Sequence, residues 1–326
     1  MSEQLGAQFL PGVEMEWAEC DFCGMPDGRL LFEGGDRLHG LPGRFRFVEC
    51  QTCGWIRQNP RPTLQSIGVY YPDEYEPYIR AIEDEAGVMR RWGRRYGMWK
   101  RCRAVMRHVA NGRLLDVGCA TGVFLNAMRR QGEWDVYGVE PNVGAAHYAR
   151  QRFNLSVHIG ILEQAESLFS PASFDAVTMW NVLEHLHRPV LDIRRIHRLL
   201  KEDGLFVFTI PNIESLEARW FGPSWIGWDL PRHLYLFPQT RLSDQLSSLG
   251  FTLVARQCLS GSYGAFVMSL KQLLNERPTA SAHWPTALLG TLRSWPAQVL
   301  AAPFFWLVNL ANRATVITLF ARKNRT

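Results

Sequence analysis

The sequence lacks an apolar run long enough to cross a membrane. Its longest apolar stretch covers 296–311, includes Pro303 and Asn309, and is shorter than the ~20 residues that a spanning helix needs. We therefore expect a buried or interfacial helix there. The first eight residues also lack a basic segment followed by an apolar core, so no secretory signal is predicted. The expected location is the cytoplasm, and contact with the inner face of a membrane is a second expectation.

The composition excludes few functional classes by itself. No internal repeat or low-complexity tract is visible, and the apolar fraction of 47% and charged fraction of 21% are those of a globular protein. The net charge of +5 is too small to imply nucleic-acid binding. No pattern in the sequence indicates an oligomeric state.

Cysteine is scarce, but four of the seven cysteines form two Cys-x-x-Cys-Gly pairs. Cys20 and Cys23 form the first pair, and Cys50 and Cys53 form the second. In a chain without a secretory signal, such pairs favour a metal over disulfides. Four thiolates complete a tetrahedral zinc shell and leave no open position for catalysis, so we predict structural zinc. A redox disulfide is the alternative.

A glycine-rich segment after a buried strand is the most informative pattern in the chain. Two leucines lead into Asp116, and residues 118–122 open a predicted helix at 123–130. A parallel strand that ends in glycines at a helix start lets a ligand approach the backbone closely. Glu140 follows the next strand, at 135–139, where an acid can bind a ribose diol. The segment has neither the Gly-x-Gly-x-x-Gly of NAD-binding proteins nor the Lys-Ser/Thr pair of a P-loop.

These patterns, in this order, resemble the class I S-adenosylmethionine-dependent methyltransferases. The likeness includes Asp116-x-Gly118-x-x-x-Gly122, Gly138-Val139-Glu140-Pro141-Asn142 and Ser173-Phe174-Asp175-Ala176-Val177-Thr178-Met179. Ala120 stands where that family usually has glycine, and a small side chain should be tolerated there. The resemblance implies an α/β fold with a Rossmann-like sheet of seven strands. The predicted strands are 113–117, 135–139, 156–159, 174–179, 204–210, 251–259 and 315–322.

Two further segments resemble a subset of these methyltransferases that bears an N-terminal zinc ribbon and often belongs to bacterial polysaccharide or secondary-metabolite pathways. They are Cys53-Gly54-Trp55-Ile56-Arg57-Gln58-Asn59-Pro60-Arg61-Pro62 and Asp229-Leu230-Pro231-Arg232-His233-Leu234-Tyr235. We therefore expect a zinc-ribbon module at 1–58, a linker with a basic amphipathic helix at 59–112, and a methyltransferase domain at 113–326. A helical insertion at about 260–314 is expected to separate the last two strands, which pair in the resembled fold.

The resemblance also implies the residues that bind S-adenosylmethionine. In an open α/β sheet these residues follow the carboxyl ends of the strands. Glu140 is expected to accept hydrogen bonds from both ribose hydroxyls, because an ionised carboxylate has two acceptor oxygens. The full predicted set is Asp116, Gly118, Cys119, Gly122, Glu140, Pro141, Asn142, Leu162 and Asn181.

Three residues are candidates for catalysis. Glu184 and His185 follow the fourth strand of the domain and could bind a metal ion; alternatively, His185 caps or packs its loop. His233 lies in an aromatic-rich loop after the fifth strand and is the candidate general base, because imidazole titrates near neutrality. The alternative role of His233 is a structural hydrogen bond that holds the loop.

Two surface features have more than one interpretation. The helix predicted at 88–109 carries eight arginines and lysines on its polar faces and no acid; such a face is either solvated or in contact with acidic lipid or a phosphate-bearing substrate. The insertion is expected either to cover the active site or to contact a bilayer surface. Its aromatic residues and flanking cations are Trp284, Trp295, Phe304, Phe305, Trp306, Arg293 and Arg313.

We therefore expect a methyltransferase that acts on a small molecule or a glycan, such as a sugar, a nucleotide sugar or a lipid-linked saccharide, by O-methylation. One alternative is an RNA methyltransferase that grips nucleic acid with the ribbon and the basic helix. Nucleic acid is disfavoured because residues 1–50 contain nine acids against four arginines, and the Asn-Pro-Pro-Tyr motif is absent. The other alternative is a non-catalytic scaffold with a methyltransferase fold.

Overall fold

The computed structural model describes residues 9–72, 82, 87–259, 262–275 and 284–325. The side chain of Trp284 lies outside this description. The chain divides into two compact units, each built from three separate segments. The first unit comprises Met1–Tyr70, Ile210–Arg241 and Arg256–Ile317, and the second comprises Tyr71–Thr209, Leu242–Ala255 and Thr318–Thr326.

The described residues form thirteen strands and ten α-helices. The strands are β1 Met15–Glu16, β2 Arg29–Gly34, β3 Phe45–Glu49, β4 Ile56–Gln58, β5 Arg61–Pro62, β6 Gly112–Val117, β7 Trp134–Glu140, β8 Ser156–Ile159, β9 Phe174–Trp180, β10 Leu200–Pro211, β11 Tyr235–Leu236, β12 Phe251–Gln257 and β13 Val316–Lys323. The helices are α1 Val88–Met106, α2 Val123–Arg129, α3 Val143–Phe153, α4 Leu162–Ala165, α5 Pro189–Leu199, α6 Leu216–Phe221, α7 Gln239–Ser248, α8 Ser262–Asn275, α9 Trp284–Leu292 and α10 Trp295–Leu310.

A seven-stranded sheet is the framework of the second unit. Its strand order is β12-β13-β10-β9-β6-β7-β8, and the pairs from β10 through β8 are parallel. The predicted seven-stranded α/β fold is confirmed, including the adjacency of the last two strands. The central strands are apolar on both faces, as expected for a parallel sheet covered by helices; Leu114, Leu115, Val177 and Phe206 are fully buried.

One strand boundary differs from the prediction in an informative way. The sequence predicts that helix α5 ends at residue 200, that 201–204 form a turn and that the strand starts at 204, but β10 already starts at Leu200. Leu200 pairs with Phe174, and the register then shifts before Leu205 pairs with Ala176. Asp203 has a φ of +59° within this irregularity. The apparent turn is therefore a bulge that interrupts the ladder without ending the strand.

The first unit is built around a four-stranded antiparallel sheet with the order β11-β4-β3-β2. Strands β2 and β3 lie in the segment between the two cysteine pairs, where the alternation of Phe45, Arg46, Phe47 and Val48 and the apolar run 30–32 also predict short strands. Strand β11 comes from residues far along the chain, so the sheet is completed only by a distant segment. The apolar core beside this sheet contains Phe45, Phe47, Ile56, Tyr70, Phe221, Trp225, Leu230 and Leu236.

A fully buried cation ties the loop before β11 to the rest of the first unit. The guanidinium of Arg232 donates to both oxygens of Asp36, at 2.8 and 2.9 Å, and to Asp229 at 2.6 Å. Burial lowers the pKa of Arg232, but the two carboxylates outweigh burial and raise it. A buried charge is tolerated only when it is paired in this way.

The predicted apolar helix at 296–311 is present as α10, with Pro303 inside it. Its inner side packs on α8, where the ring of Phe305 contacts the rings of Tyr263 and Phe266 at 5.3 and 5.7 Å. Among the described helices, none combines the length and the apolar character that a membrane span requires.

Candidate active site and cysteine cluster

The loop between β6 and α2 turns through three residues in the left-handed region. Gly118, Ala120 and Gly122 have φ values of +72°, +46° and +73°. Such a conformation costs about 1 kcal/mol for a residue with a Cβ atom. Glycine at position 120, as in the resembled family, would avoid this cost, whereas Ala120 carries it. The turn directs the backbone N–H of Ala120 to the end of the neighbouring strand β7.

Glu140 receives that N–H and fixes the loop. One of its carboxylate oxygens accepts from Ala120 N and the other from Asn142 N, both at 2.8 Å. The side chain is 3% exposed, and burial raises its pKa while the two backbone N–H groups oppose the rise. The sequence predicted this acid as a ribose ligand but not as the group that joins the glycine loop to the end of β7.

Asp116 is a second buried carboxylate at the same edge of the sheet. It is 2% exposed and accepts a 2.6 Å hydrogen bond from the hydroxyl of Thr178 on β9. Burial raises the pKa of Asp116 to about 7, against the lowering effects of Thr178 and of the nearby Arg101, while the charge of Glu140 raises it further. A cationic ligand at this edge would stabilise the ionised form of Asp116.

Arg101 is a functional candidate that the sequence did not single out. It lies on α1, and its guanidinium carbon is 5.0 Å from the centre of the Trp180 ring. Burial lowers its pKa, and the carboxylate of Asp116 opposes that effect. Within the described part of the chain, its guanidinium donates no hydrogen bond, so its planar set of donors can serve a carboxylate ligand.

The predicted cofactor residues lie at or shortly after the carboxyl ends of β6, β7, β8 and β9. Cys119 and Leu162 are buried, whereas Pro141 and Asn181 are exposed. The side chain of Asn142 caps α3 by accepting a 2.8 Å hydrogen bond from Ala145 N, a structural role that the sequence analysis did not foresee. Their individual roles in cofactor binding stay predictions.

Glu184 and His185 lie on a short 3-10 turn at Leu183–His185. Glu184 is fully buried. The Nδ1 atom of His185 is 3.0 Å from the hydroxyl of Tyr71, so this histidine is hydrogen-bonded to the segment that precedes α1. That contact fits the packing role weighed for His185, and a metal site at these residues stays a prediction.

His233, in the first unit, is held by a hydrogen bond within its own loop. Its Nδ1 atom lies 2.9 Å from the carbonyl oxygen of Gly227. A carbonyl only accepts, so Nδ1 must carry the proton and Nε2 the lone pair. Burial lowers the pKa of His233, so the imidazole is neutral near pH 7. This is the protonation state that a general base requires, and the hydrogen bond also satisfies the structural role weighed for this residue.

The four predicted metal ligands meet at one point of the first unit. The sulfur atoms of Cys20, Cys23, Cys50 and Cys53 all lie within 4.8 Å of one another. Two of the pairs, Cys20 with Cys53 and Cys23 with Cys50, are 3.4 Å apart. A tetrahedral zinc ion with Zn–S bonds of ~2.3 Å places its sulfurs ~3.8 Å apart, so the cluster has the donor type and the dimensions for such an ion.

Both cysteine pairs have the same local geometry. The glycine after each pair donates its N–H to the carbonyl of the first cysteine, from Gly24 to Cys20 at 2.7 Å and from Gly54 to Cys50 at 2.8 Å. These glycines have φ values of +75° and +77°. Glycine adopts this left-handed conformation without steric cost, which explains why a glycine follows each cysteine pair.

A cavity in the second unit is lined by none of the predicted cofactor residues. It has a volume of about 330 Å³ and is lined by Ile82, Arg95, Met98, Trp99, Val123, Asn126, Ala127, Arg130, Gln131 and Phe153. On the same helix α1, Lys100 lies over the ring of Tyr96 and Arg103 over that of Trp99, each at 5.1 Å. These two cations pack on aromatic rings of their own helix, as expected if the polar faces of α1 are solvated and bind no other molecule.

Several curated proteins are similar to part of this chain. A ubiquinone biosynthesis O-methyltransferase of Neisseria meningitidis serogroup A is 31% identical over 109 residues, which cover 31% of this chain and 44% of the relative. One from Pseudomonas aeruginosa is 33% identical over 112 residues, covering 31% and 46%. The chain thus spans less than half the length of these relatives.

Two solved structures resemble the fold at low sequence identity. An S-adenosylmethionine-dependent methyltransferase from Archaeoglobus fulgidus has a TM-score of 0.47 at 18% identity, over 70% of this chain and 94% of that one. The 1,6-didemethyltoxoflavin-N1-methyltransferase of Burkholderia thailandensis has a TM-score of 0.47 at 17% identity, over 86% and 96%.

The family itself is established by a match to a whole-domain model. The model described as a methyltransferase domain matches residues 89–256, which is more than half of the chain. The matched region contains the glycine loop, Asp116, Glu140 and Arg101. This chain therefore belongs to the class I S-adenosylmethionine-dependent methyltransferase family.

Proposed function

We propose that this protein transfers the methyl group of S-adenosylmethionine to a hydroxyl group of a small molecule. The observation that carries the proposal is the clamp on Glu140, whose carboxylate accepts backbone N–H groups from Ala120 and from Asn142. It joins the glycine loop to the end of the next strand, where ligands of open α/β sheets bind. The buried acid is thereby positioned to accept hydrogen bonds from a ribose diol.

The chain supplies binding and orientation, and the bound S-adenosylmethionine supplies an activated methyl group. Glu140 would hold the ribose, and Asp116 would face the cationic methionine end of the cofactor. Arg101 would bind the carboxylate of that end. Transfer is an in-line displacement, so holding the acceptor about 3 Å from the methyl carbon provides much of the rate enhancement.

The names of the similar curated proteins support a small-molecule acceptor and transfer to oxygen. A glycan acceptor, which the zinc-ribbon resemblance suggested, has weaker support. Trp225 and Trp228, in the loop after β10, pack into the first unit: Trp225 is 1% exposed, and the ring of Trp228 contacts the rings of Phe32 and Phe47. These two rings are therefore not available as a platform on which a sugar ring could stack.

We infer that the cysteine cluster binds one structural zinc ion. Its support is the donor set: four sulfurs within 4.8 Å, two of them on each of two matching turns. Four protein ligands fill the shell, so the ion would stabilise the first unit and take no part in methyl transfer.

The expected location is the cytoplasm, and contact with a membrane surface stays a prediction. Such contact requires an exposed apolar face on the helical insertion. The RNA alternative has no further support: Lys100 and Arg103 of α1 pack on aromatic rings of the same helix.

Cofactor binding tests the proposed function directly. In isothermal titration with S-adenosylhomocysteine, the wild type is expected to bind with micromolar affinity, and Asp116→Asn and Glu140→Gln are each expected to weaken binding by about ten- to a hundredfold, since each removes a charged hydrogen-bond acceptor. Asp175→Asn, at the opposite end of β9, is the matched control and should bind like the wild type. A folded wild type that does not bind S-adenosylhomocysteine would contradict the proposed methyltransferase activity and would favour the non-catalytic scaffold.

The role of Arg101 can be separated from general packing by the choice of ligand. Arg101→Met is expected to lower the affinity for S-adenosylhomocysteine by about ten- to a hundredfold, because a charged partner of the carboxylate is lost. The affinity for methylthioadenosine, which lacks that carboxylate, should not change. An equal loss for both ligands would show that Arg101 only supports the structure.

His233 as general base predicts a specific pH dependence. Because burial lowers the pKa of His233 below 6.5, the base is neutral above that value, and kcat should fall only as the pH drops further. His233→Asn is expected to lower kcat by about a hundredfold or more, to remove this acid limb and to leave the affinity for S-adenosylhomocysteine unchanged. The assay follows labelled methyl transfer to the first acceptor found by screening; an unchanged pH profile would assign His233 a structural role.

Metal analysis tests the cysteine cluster. The purified chain is expected to contain one equivalent of zinc by mass spectrometry, and chelation should lower the midpoint of thermal unfolding, because metal binding contributes to the folding free energy. Cys23→Ser should lose the zinc, whereas Cys258→Ser, at a cysteine outside the cluster, should retain it. A zinc-free folded chain with a disulfide among these cysteines would support the redox alternative.

A further inference from the structure

The solvent-facing half of helix α10 is apolar, whereas an ordinary surface helix has polar side chains on that side. Leu300 is 85% exposed and Trp295 75% exposed, on a helix that has no charged residue over its sixteen positions. The other large exposed side chains of α10 are Val299, Phe304, Trp306, Leu307 and Leu310. At 100° per residue, these seven residues cover about half of the helix circumference.

The polar side chains of α10 are tied to the protein. Asn309 accepts a hydrogen bond from the hydroxyl of Ser262 at 3.1 Å, and Gln298 donates to the carbonyl of Arg293 at 2.9 Å. Phe305 and Val308 are buried on the inner side. The orientation of the helix is therefore set by specific contacts, and these contacts leave the apolar half outward.

The apolar surface continues onto helix α6. Trp220 is 52% exposed, and its ring stacks on that of Phe304 with centroids 6.0 Å apart and an interplanar angle of 19°. We call the exposed residues of α10 together with Trp220 the outer face. A contiguous apolar surface of this kind marks an interaction site, because isolated exposed side chains would not be aligned along one helix.

Three exposed arginines lie next to the outer face. Arg293 precedes α10, Arg313 follows it and Arg219 is next to Trp220; none of the three has an ion pair within the described residues. Between residues 256 and 317 the sequence contains a single acid, Glu276, against five basic residues, Arg256, Lys271, Arg277, Arg293 and Arg313.

An anionic membrane surface fits this combination better than a second copy of the chain. A two-fold dimer through the outer face would bring the same arginines together without acids to pair with them. Phospholipid headgroups instead offer phosphates to the arginines, while tryptophans settle at the boundary between headgroups and acyl chains. A helix of sixteen residues is about 24 Å long, which suits a position in the plane of the interface.

We propose that the outer face binds the surface of a bilayer that contains anionic phospholipids, with α10 parallel to the membrane plane. Exposed apolar side chains enter the acyl boundary, and Arg219, Arg293 and Arg313 contact lipid phosphates. This proposal is independent of methyl transfer, since it involves none of the residues assigned to the cofactor.

Flotation of the full chain with vesicles tests the proposal. The wild type is expected to float with vesicles of phosphatidylcholine that contain about 30% phosphatidylglycerol, because each Arg or Lys near an anionic surface adds about 1 kcal/mol of attraction. The double variant Leu300→Glu with Leu307→Glu is expected to lower the partition coefficient at least about a hundredfold, since it removes two apolar anchors and adds two repelled charges. Leu168→Glu is the matched control, because Leu168 is 61% exposed and Leu307 58%.

A second pair of substitutions separates the charge from the apolar contribution. Arg219→Gln with Arg293→Gln should reduce the preference for anionic over neutral vesicles by at least about tenfold.

A wild type that remains unbound with anionic vesicles would overturn the proposal. A dimer in light scattering that the double glutamate variant converts to a monomer would also overturn it and assign the outer face to protein contact. In all variants, an unchanged affinity for S-adenosylhomocysteine shows that the fold is intact.

Discussion

The burial of two carboxylates at the ends of adjacent strands is the constraint on which the second unit depends. Asp116 and Glu140 are both nearly inaccessible to solvent. Burial raises the pKa of each carboxyl, and the charge of Glu140 adds to the rise at Asp116. Backbone N–H groups offset part of this cost at Glu140, and a hydroxyl does so at Asp116. The part of the burial cost that these groups do not offset would be reduced by a ligand with a positive charge and hydroxyl donors. Without such a ligand, the two buried carboxylates lower the stability of the folded chain.

The first unit handles a buried charge in the opposite way. Arg232 is completely desolvated, yet two carboxylates satisfy its guanidinium, so nothing further is needed from a ligand. Truncating one partner of such a cluster costs several kcal/mol, because it leaves an uncompensated charge inside the protein. The contrast separates two kinds of buried ion in this chain. A satisfied cluster holds the loop that carries His233, whereas Asp116 and Glu140 lie at the edge where ligands of open α/β sheets generally bind.

Sequence patterns predicted the features of this structure that depend on residues close together in the chain. Apolar runs located the strands, the glycines located the loop after β6, and the spacing of Cys20, Cys23, Cys50 and Cys53 located the cluster. Residues whose importance comes from a tertiary contact could not be found in this way. Arg101 is one of many arginines on α1 and is distinguished only by its position over Trp180. The bulge at the start of β10 was also missed, because Lys-Glu-Asp-Gly is typical of a turn and only the neighbouring strand shows that pairing continues.

The position of strand β11 has a consequence for the synthesis of the protein. The edge of β4 is paired with β11, and Arg61 donates to the hydroxyl of Tyr235 across a separation of 174 residues. At 5–20 residues per second, roughly 10–35 s pass between the emergence of these two positions from the ribosome. During that interval β4 is an unpaired edge strand of the sheet β2-β3-β4, and such an edge can pair with a strand of another chain. Early capture of a metal by the four cysteines would keep this incomplete sheet in register until its last strand arrives.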